Sequence, residues 1–251
     1  MDAFISPPVF IRLPHSGKQT TRSAWVDMKQ LLLFLAAIAL LSVTACVYVD
    51  PDVEKPAHEL AQNGLDEFND GDYKKAIQYF EKVRDWYPFS QHAKMAELKI
   101  ADAHFRLKEY EEAIAAYEEF QELHPTHESI PYIVHQIGLC YFNRLRTIDR
   151  DQTMALKAIE TFDQLIKNYP ESSFVQDAKE KIDRCRKNLA EHDFYVGHFY
   201  YRTKHYKAAL FRFKEIVQNY PNFEAAEKAS RYIALCEAAL KKESAKADTL
   251  E

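Results

Sequence analysis

Hydrophobic residues recur at helical spacing along most of this chain, and four segments repeat one pattern that ends in a proline. The four prolines are Pro88, Pro125, Pro170 and Pro221. An alanine stands twelve residues before each proline, an aromatic residue eight before it and a bulky apolar residue five before it. These spacings place the side chains on one face of an α-helix, and proline then ends the helix because it cannot continue the hydrogen-bond ladder.

Another helix precedes each of these segments. This preceding helix carries a small residue twelve positions before the alanine of the proline-ended segment. The small residue is Gly64 in the first unit, Ala101 in the second and Gly197 in the fourth. In the third unit Gly138 lies twenty residues before the alanine, which predicts an enlarged turn around residues 144–153. Small residues that face each other let two antiparallel helices approach closely. The sequence therefore predicts four helix pairs.

The connection between the third and fourth units differs from the others. Asp183 takes the place of the small residue there, and Gly197 follows fourteen residues later. Fourteen residues make about four helical turns, so we expect one long helix over residues 173–202. Residues 223–240 predict a further amphipathic helix, and a terminal unit of this kind caps a repeat array.

The signature resembles the tetratricopeptide repeat, a helix–turn–helix unit of about 34 residues. The resemblance implies an all-α fold, a superhelical α-solenoid of four full repeats plus a C-terminal capping helix over residues 57–240. We divide it into N-terminal repeats over about residues 57–130 and C-terminal repeats over about residues 131–240. Residues 241–251 are expected to form a polar tail.

The N-terminal part of the chain carries a targeting signal. Residues 31–41 are all apolar, with Lys29 before them, and Ser-Val-Thr-Ala at residues 42–45 leads to Cys46. A basic segment, an apolar segment of about 7–15 residues and small residues before a cleavage point are typical of a secretory signal. With its cysteine, the segment resembles a bacterial lipoprotein signal, which implies an N-acyl and S-diacylglycerol lipid on Cys46.

This signal divides the N-terminal part into two segments. Residues 1–45 are interpreted as an upstream extension and signal peptide, and residues 46–56 as a lipid-anchored tether with Pro51 and Pro56. Two or more acyl chains hold a protein at a membrane stably, whereas one chain is marginal. A transmembrane anchor is the alternative, because the apolar stretch continues through residues 47–49 and approaches the thickness of a bilayer.

Composition narrows the class of protein. The 251 residues include only five glycines, and their spacing excludes a GxGxxG loop and a Walker phosphate loop. Hydrophobic residues make up 47% of the chain and charged residues 28%, which is enough apolar surface for a packed core. The formal net charge is −5 and no basic stripe occurs, which argues against a nucleic-acid partner.

No catalytic or metal-binding motif emerges. HExxH, CxxC and GxSxG motifs are missing, so we expect no enzymatic activity, no metal site and no cofactor other than the lipid. We interpret His192, His198 and His205 as residues of solvated helix faces. Three cysteines each follow a repeat proline by fifteen residues: Cys140, Cys185 and Cys236. Equivalent positions of neighbouring repeats lie too far apart for a disulfide, so these cysteines are predicted to be buried packing residues.

An aromatic residue stands four after each small residue of the first helices. This aromatic column consists of Phe68, Phe105, Phe142 and Tyr201, and the residues that follow its members are Asn69, Arg106, Asn143 and Arg202. In this repeat type the column leans toward the concave groove, where it suits an extended peptide with apolar side chains. The alternative is that the rings only pack one helix pair on the next.

Longer segments carry a more specific resemblance. The chain resembles the BamD (YfiO-type) lipoproteins over about residues 46–238, on the lipobox cysteine, the proline-containing tether and four segments. The segments are AIQYFEKVRDWYPFSQHAKMAEL, LHPTHESIPYIVHQIGL, DRDQTMALKAIETFDQLIKNYPESSFVQDA and LAEHDFYVGHFYYRTKHYKAALFRFKEIV. These lipoproteins belong to the β-barrel assembly machinery of the Gram-negative outer membrane. The resemblance implies a non-enzymatic scaffold that is lipid-anchored at the periplasmic face of that membrane.

The same resemblance implies partners and site residues. The N-terminal repeats would receive unfolded outer-membrane protein precursors, and the C-terminal repeats would dock on the Omp85-type barrel assembly subunit, with accessory lipoproteins as further partners. The expected precursor groove comprises Phe68, Tyr87, Phe105, Arg106, Phe142 and Asn143. The expected scaffold-docking site comprises Arg212, Tyr201 and Arg202. Tyr87 matches the family's tyrosine before the first proline, and Arg212 matches an arginine on the last signature helix.

Two alternatives stay open at this point. Arg212 occupies a position at which the other units carry Tyr79, Ala116 and Thr161, so the repeat does not demand an arginine, but an ordinary solvated charge also explains it. The alternative function is that of another repeat-containing envelope lipoprotein, such as a pilus-secretin pilotin or a Tol–Pal-linked factor. The enlarged third turn and the long helix after it favour the BamD-type function.

Overall fold

The computed structural model of this chain describes residues 55–248. Within them the chain forms nine α-helices and no strand. In chain order these are α1 (Ala57–Asp70), α2 (Tyr73–Trp86), α3 (Ala93–Leu107), α4 (Tyr110–Leu123), α5 (Ile130–Asn143), α6 (Thr153–Asn168), α7 (Val175–Arg202), α8 (Tyr206–Asn219) and α9 (Glu224–Asp248). The predicted lipid on Cys46 and the alternative transmembrane anchor lie outside the described residues.

Helices that follow each other along the chain are packed on each other. α1 pairs with α2, α3 with α4, α5 with α6, and the second half of α7 with α8, while α9 packs on α8. This arrangement confirms the predicted all-α tetratricopeptide-repeat solenoid of four helix pairs and a terminal helix. None of the described helices combines the length and apolar character that crossing a membrane requires.

The signature prolines end the helices through one recurring turn, the proline turn. Helices α2, α4, α6 and α8 each end two residues before the proline, and the residue between has a φ of −131° to −135°. The proline ring disfavours helical angles at the residue before it. Each turn is closed by an N–H that donates to the carbonyl three residues earlier: Ser90 to Tyr87, His127 to His124, Ser172 to Tyr169 and Phe223 to Tyr220.

The glycines of the first helices accommodate a ring of the partner helix. An added Cβ would lie 2.6 Å from a ring carbon of Phe80 at Gly64, 2.5 Å from one of Phe162 at Gly138 and 2.9 Å from one of Phe213 at Gly197. These phenylalanines are the signature aromatics of the same units. The structure thus adds a contact that the spacing did not predict: each of these glycines leaves room for a phenylalanine ring.

The enlarged turn of the third unit is fastened to the long helix. It covers residues 144–152, between α5 and α6. Asn188 of α7 donates to the buried side chain of Gln152, and the His192 ring hydrogen-bonds the Ile148 carbonyl at 2.6 Å. His192 is thus half-buried and paired, which corrects its placement on a solvated face.

The other two histidines of this region differ from each other. His198 is also half-buried, because its ring packs against Phe194 and Tyr232 with centroid distances of 6.1 and 5.4 Å. The solvated-face interpretation is therefore wrong for His198 as well. His205 is exposed, as that interpretation predicted.

The buried side chains form three clusters along the solenoid. The first lies within residues 60–100, the second within 101–189 and the third within 190–236. Cys140 and Cys185 belong to the second cluster and Cys236 to the third, and all three are free and fully buried, which confirms them as packing residues. Burial raises the pKa of the Cys140 thiol to about 12 and that of Cys185 to about 11, so both thiols stay protonated.

Two positions show where a helix lacks a partner within residues 55–248. Asp183 in α7 and Ala234 in α9 take the place of the small residue after a proline turn, and both are exposed. A charged residue is tolerated at this place because no second helix of the same unit packs on it. α9 continues to Asp248, so residues 241–248, expected as a polar tail, extend the terminal helix.

Candidate functional site

The aromatic column lies at the ends of the first helices, and three of its four rings meet the start of the next helix. Phe68 contacts Tyr73 edge-to-face at a centroid distance of 5.2 Å, and Phe105 contacts Tyr110 in the same way at 5.8 Å. Tyr201 repeats this contact with Tyr206 at 5.7 Å in the fourth unit. Edge-to-face pairs stabilise a fixed ring orientation, so the turn within each of these units positions its column residue.

The following unit contributes a side chain to three of the four column rings. Lys99 of α3 places its Nζ 4.8 Å from the Phe68 ring centroid. Lys181 and Arg184 of α7 both lie over Phe142, at 5.5 and 4.9 Å. Tyr201 instead meets Tyr232 of α9 edge-to-face at 5.1 Å. The column thus contributes to packing between units, as the alternative interpretation held.

The column residues differ in how much of each ring is left open. Phe142 is only 9% exposed, because two cationic side chains cover it. Phe68, Phe105 and Tyr201 are half-buried. The structure therefore leaves ring surface available at the N-terminal units and nearly none at Phe142.

A small cavity of about 100 Å³ brings three of the expected groove residues together. Its walls are formed by Phe68, Lys99, Asp102, Phe105, Arg106, Tyr117 and Tyr132. Phe68, Phe105 and Arg106 belong to the expected precursor groove. The other four residues come from α3, α4 and α5 and were not anticipated from the sequence.

These four residues form a buried polar cluster, the Asp102 node, beneath the cavity. The hydroxyls of Tyr117 and Tyr132 both donate to Oδ1 of Asp102 at 2.8 Å, and Lys99 Nζ donates to its Oδ2 at 2.9 Å. Asp102 is 8% exposed, so its charge depends on these three donors. Burial, and next the Asp102 charge, raise the pKa of both tyrosine hydroxyls, which therefore stay protonated.

The polar residues that follow the column face solvent. Arg106, Asn143 and Arg202 are exposed. Arg106 stands at the rim of the cavity, where its guanidinium is accessible to a ligand that contacts Phe105. Asn143 has no such neighbour, because the ring of Phe142 beside it is covered.

Tyr87 lies away from the cavity and has a different contact. Its hydroxyl donates to the carbonyl of Lys55 at 2.8 Å, across 32 residues. Lys55 directly precedes Pro56, the N-cap residue of α1. Tyr87 thus holds the point at which the tether enters the solenoid, and the structure does not bring it together with the other expected groove residues.

The expected docking residues are held by contacts of their own. Arg212 on α8 pairs with Glu215 at 3.5 Å and keeps 43% of its side chain exposed. Asp193 lies nearby, and burial raises its pKa while His192 and Arg212 oppose the rise. Tyr201 is held between Tyr206 and Tyr232. Arg212 is therefore a half-exposed cation that pairs with Glu215 at the long distance of 3.5 Å.

Three histidine side chains pair with carboxylates of other elements or turns. Within residues 55–248 no group of three or more His, Cys, Asp or Glu side chains is arranged to hold a metal ion. The pairs are His104 with Glu109 at 2.8 Å, His124 with Glu97 at 2.7 Å and His135 with Asp177 at 2.8 Å.

The sequence also matches a known family. The profile of the YfiO family, described as outer membrane lipoprotein, matches residues 53–250 of this chain. The match covers all four helix pairs, the terminal helix and the end of the tether.

Curated relatives carry the name outer membrane protein assembly factor BamD. The protein of Neisseria gonorrhoeae is 28% identical over 241 residues, which cover 88% of this chain and 89% of that protein. The protein of Rickettsia prowazekii is 30% identical over 169 residues, 67% of each chain. The protein of Caulobacter vibrioides is 28% identical over 167 residues, and this match spans 66% of the present chain but only 55% of its relative.

Solved repeat structures are similar in fold alone. The TPR2AB domain of yeast Sti1 in its Hsp90 complex has a TM-score of 0.44 and 16% identity, over 73% of this chain and 70% of that one. MamA of Desulfovibrio magneticus RS-1 has a TM-score of 0.37 and 19% identity, over 66% and 76%.

Proposed function

The chain belongs to the YfiO family of outer membrane lipoproteins, and on that premise we propose that it acts in outer-membrane protein assembly as a non-catalytic scaffold. Its N-terminal repeats bind unfolded precursors of outer-membrane barrel proteins, and its C-terminal repeats bind the Omp85-type barrel assembly subunit. A lipid on Cys46 holds it at the periplasmic face of the outer membrane. Relatives named as assembly factors support the proposal.

The cavity above the Asp102 node is the observation that carries the precursor site. It offers parts of two half-buried rings, Phe68 and Phe105, beside the exposed guanidinium of Arg106. Aromatic and arginine side chains dominate binding energy at protein interfaces, and an extended segment of an unfolded chain presents both apolar side chains and free carbonyls. The node beneath fixes three helices to one another, so the cavity is preorganised for such a segment.

A binding experiment tests this site. The probe is a fluorescent peptide with the last ten residues of an outer-membrane barrel protein, and the readout is its anisotropy with the full chain. Phe105→Leu and Phe68→Leu are each expected to weaken binding about tenfold, because both remove ring surface from the cavity wall. Phe142→Leu is the matched control, since it changes the same column position where the ring is already covered.

Two results would contradict the precursor site. Unchanged affinity in both cavity variants shows that the peptide binds elsewhere. An equal loss in the Phe142→Leu control shows that the column acts through packing and not through contact with the peptide.

Arg212 carries the docking part of the proposal. Its half-exposed guanidinium pairs with Glu215 at 3.5 Å and interacts with the charge of Asp193 at longer range. It can therefore form a bidentate pair with a carboxylate of the barrel subunit. Arg212→Glu is expected to reduce recovery of that subunit from solubilised envelopes about tenfold. Lys214→Glu is the control, because Lys214 is an exposed cation of the same helix that pairs with Glu237 on α9. Equal loss in both variants argues for a general charge effect.

The anchor is tested separately by mass spectrometry of the mature N-terminus. A Cys46 that carries diacylglycerol and an N-linked acyl chain fits the proposal, and Cys46→Ser is expected to release the protein from membranes. An unprocessed N-terminus would favour the transmembrane alternative.

A further inference from the structure

The first proline turn differs from the other three in the residue at its apex. The residue after the proline is Phe89 in the first turn, whereas Thr126, Glu171 and Asn222 stand there in the others. All four turns are closed by the same hydrogen bond, so the backbone does not require a phenylalanine at this place. Three polar residues satisfy the same turn, and the phenylalanine therefore calls for an explanation outside the fold.

Phe89 is held in solvent by an ordered turn. Its side chain is 102% exposed, the largest value among the exposed hydrophobic residues that the structure describes. The turn around it is fixed on both sides, since Ser90 donates to the Tyr87 carbonyl at 2.9 Å and accepts from the N–H of Ala93 at 3.1 Å. Contiguous exposed apolar patches mark contact surfaces, whereas a single exposed ring does not, so the residues around Phe89 decide its significance.

Other aromatic residues and a cation lie along the end of α2 next to this turn. Trp86, the last residue of α2, is 40% exposed. Lys82 places its Nζ 5.6 Å from the Trp86 ring centroid and 5.7 Å from that of Tyr79. We call Tyr79, Lys82, Trp86 and Phe89 the aromatic edge. Arg84 on the same helix pairs with Asp85 at 2.7 Å and lies 4.0 Å from Glu81.

The aromatic edge lies where the tether enters the solenoid. Tyr87, between Trp86 and Phe89, donates its hydroxyl to the carbonyl of Lys55. Lys55 is nine residues from Cys46. A fully extended chain of nine residues spans at most about 32 Å, so a lipid on Cys46 keeps the aromatic edge within that distance of the membrane.

We propose that the aromatic edge rests in the headgroup region of the phospholipid bilayer and inserts Phe89 and Trp86 into it as a second membrane contact. Tryptophan and tyrosine favour the interface between hydrocarbon and water, and a nearby lysine is attracted to anionic lipid phosphates. The occupant is a bilayer because the tether length limits the distance. This inference rests on the lipid anchor of the proposed function. Two points of contact would fix the orientation of the solenoid, whereas a tether alone leaves it free to rotate.

The fluorescence of Trp86 tests this contact directly. The chain has two tryptophans, Trp25 and Trp86. Trp25 lies in the proposed signal peptide, which is removed before Cys46 is N-acylated, so the fluorescence of the mature lipoprotein reports on Trp86 alone. The protein is reconstituted into vesicles of phosphatidylethanolamine and phosphatidylglycerol, with and without bromine on the acyl chains, and flotation measures its attachment. Brominated lipid is expected to quench the Trp86 emission about twofold, with a shift of the emission to shorter wavelength.

Two further variants make the test specific. Phe89→Ser is expected to remove most of the quenching while it leaves the helical content unchanged, because the ring of Phe89 packs on nothing. Phe199→Ser is the matched control, since Phe199 is a phenylalanine on α7 that is 58% exposed, and it is expected to leave the quenching unchanged.

The possible failures are distinguishable. A chain that floats with unquenched Trp86 overturns the membrane contact and leaves the anchor and the proposed function in place. A chain that does not float overturns the anchor and the contact together. Protection of Trp86 by the purified barrel subunit in place of lipid would assign the aromatic edge to a protein partner and overturn the inference.

Discussion

The first and last proline turns of this solenoid are followed by different side chains at the same repeat position, a lysine after the first and a tyrosine after the last. Eleven residues after Pro88 stands Lys99, which completes the Asp102 node, and eleven after Pro221 stands Tyr232. The Tyr232 ring contacts Phe194, Tyr201 and Phe213 at centroid distances of 5.1 to 5.5 Å. The helix pairs are alike at both ends, yet one position belongs to a polar cluster at the N-terminal end and to an aromatic cluster at the C-terminal end.

A binding scaffold needs both a rigid framework and open surface for a ligand, and the two ends of the solenoid differ in how far they combine these properties. A polar cluster beneath a cavity can be rigid and still leave ring surface and a cation open to a ligand, as Phe105 and Arg106 are. In the aromatic cluster the rings pack against one another. They stabilise the last unit, after which no further repeat follows in the described residues. The N-terminal end thus leaves ring surface open to solvent, whereas the C-terminal aromatic cluster is filled by its own side chains.

The largest expected effect comes from removing the centre of the polar cluster. Asp102→Ala removes the acceptor of the buried Tyr117 hydroxyl, the partly buried Tyr132 hydroxyl and Lys99, and it is expected to lower the free energy of unfolding by about 3 kcal/mol. Urea unfolding followed by circular dichroism measures it. Asp102→Asn keeps an acceptor and is expected to cost about half as much. A loss under about 0.5 kcal/mol in the alanine variant would contradict the importance of the node.

A second test compares the glycine positions of two units. Gly138→Ala places a Cβ 2.5 Å from the Phe162 ring and is expected to cost about 2 kcal/mol through overpacking. Gly197→Ala meets Phe213 at 2.9 Å, so the ring has less to move and the expected cost is about 1 kcal/mol. The same unfolding measurement ranks them, and the reverse order would contradict the packing described here.

The aromatic cluster is tested at its most connected ring. Tyr232→Leu keeps apolar bulk but removes the edge-to-face contacts, so we expect a loss of about 1–1.5 kcal/mol. Hydrogen exchange is expected to increase in α8 and α9 and to stay unchanged in α1 to α4. Tyr195→Leu, an exposed tyrosine on α7, is the control. An increase spread over the whole chain would contradict an independent third cluster.

The smallest effect separates two lysines at equivalent positions. Lys99→Met removes the cation beside a buried carboxylate and is expected to cost about 1 kcal/mol, whereas Lys181→Met affects the half-exposed Asp177 and is expected to cost about 0.5 kcal/mol. Added salt is expected to reduce the Lys181 effect more, because exposed pairs are screened more strongly. Thermal unfolding at two salt concentrations measures both, and equal values would show that burial of Asp102 has no consequence.

The fold was predictable because its signals are short-range. The proline signature, the long helix and the three buried cysteines all follow from spacings within one or two helices, and the predicted helix at residues 173–202 is found as Val175–Arg202. The contacts of Gly64, Gly138 and Gly197 with rings were missed, since spacing gives the face of a helix but not which neighbour reaches it.

The candidate site was predictable only in part. Phe68, Phe105 and Arg106 were found from the repeat, but the Asp102 node joins residues that are 15 and 30 positions apart on three helices. One signal was present: the second unit has Tyr117 where the other three have phenylalanine, and a hydroxyl in a buried position needs an acceptor. The contact of Tyr87 with the Lys55 carbonyl was not predicted, because that carbonyl is a backbone atom that no side-chain pattern indicates.

The long helix α7 carries residues of two separate buried clusters, which meet between Leu189 and Ala190. Because no turn interrupts α7, each residue inserted near this boundary would rotate the last unit by about 100° relative to the units before it. Seven inserted residues, or about two turns, would nearly restore the original angle. The length of α7 therefore sets the rotation angle between the last unit and the units before it. A change of one residue in this length would turn the surface that carries Arg212 away from the side on which the N-terminal units face a partner.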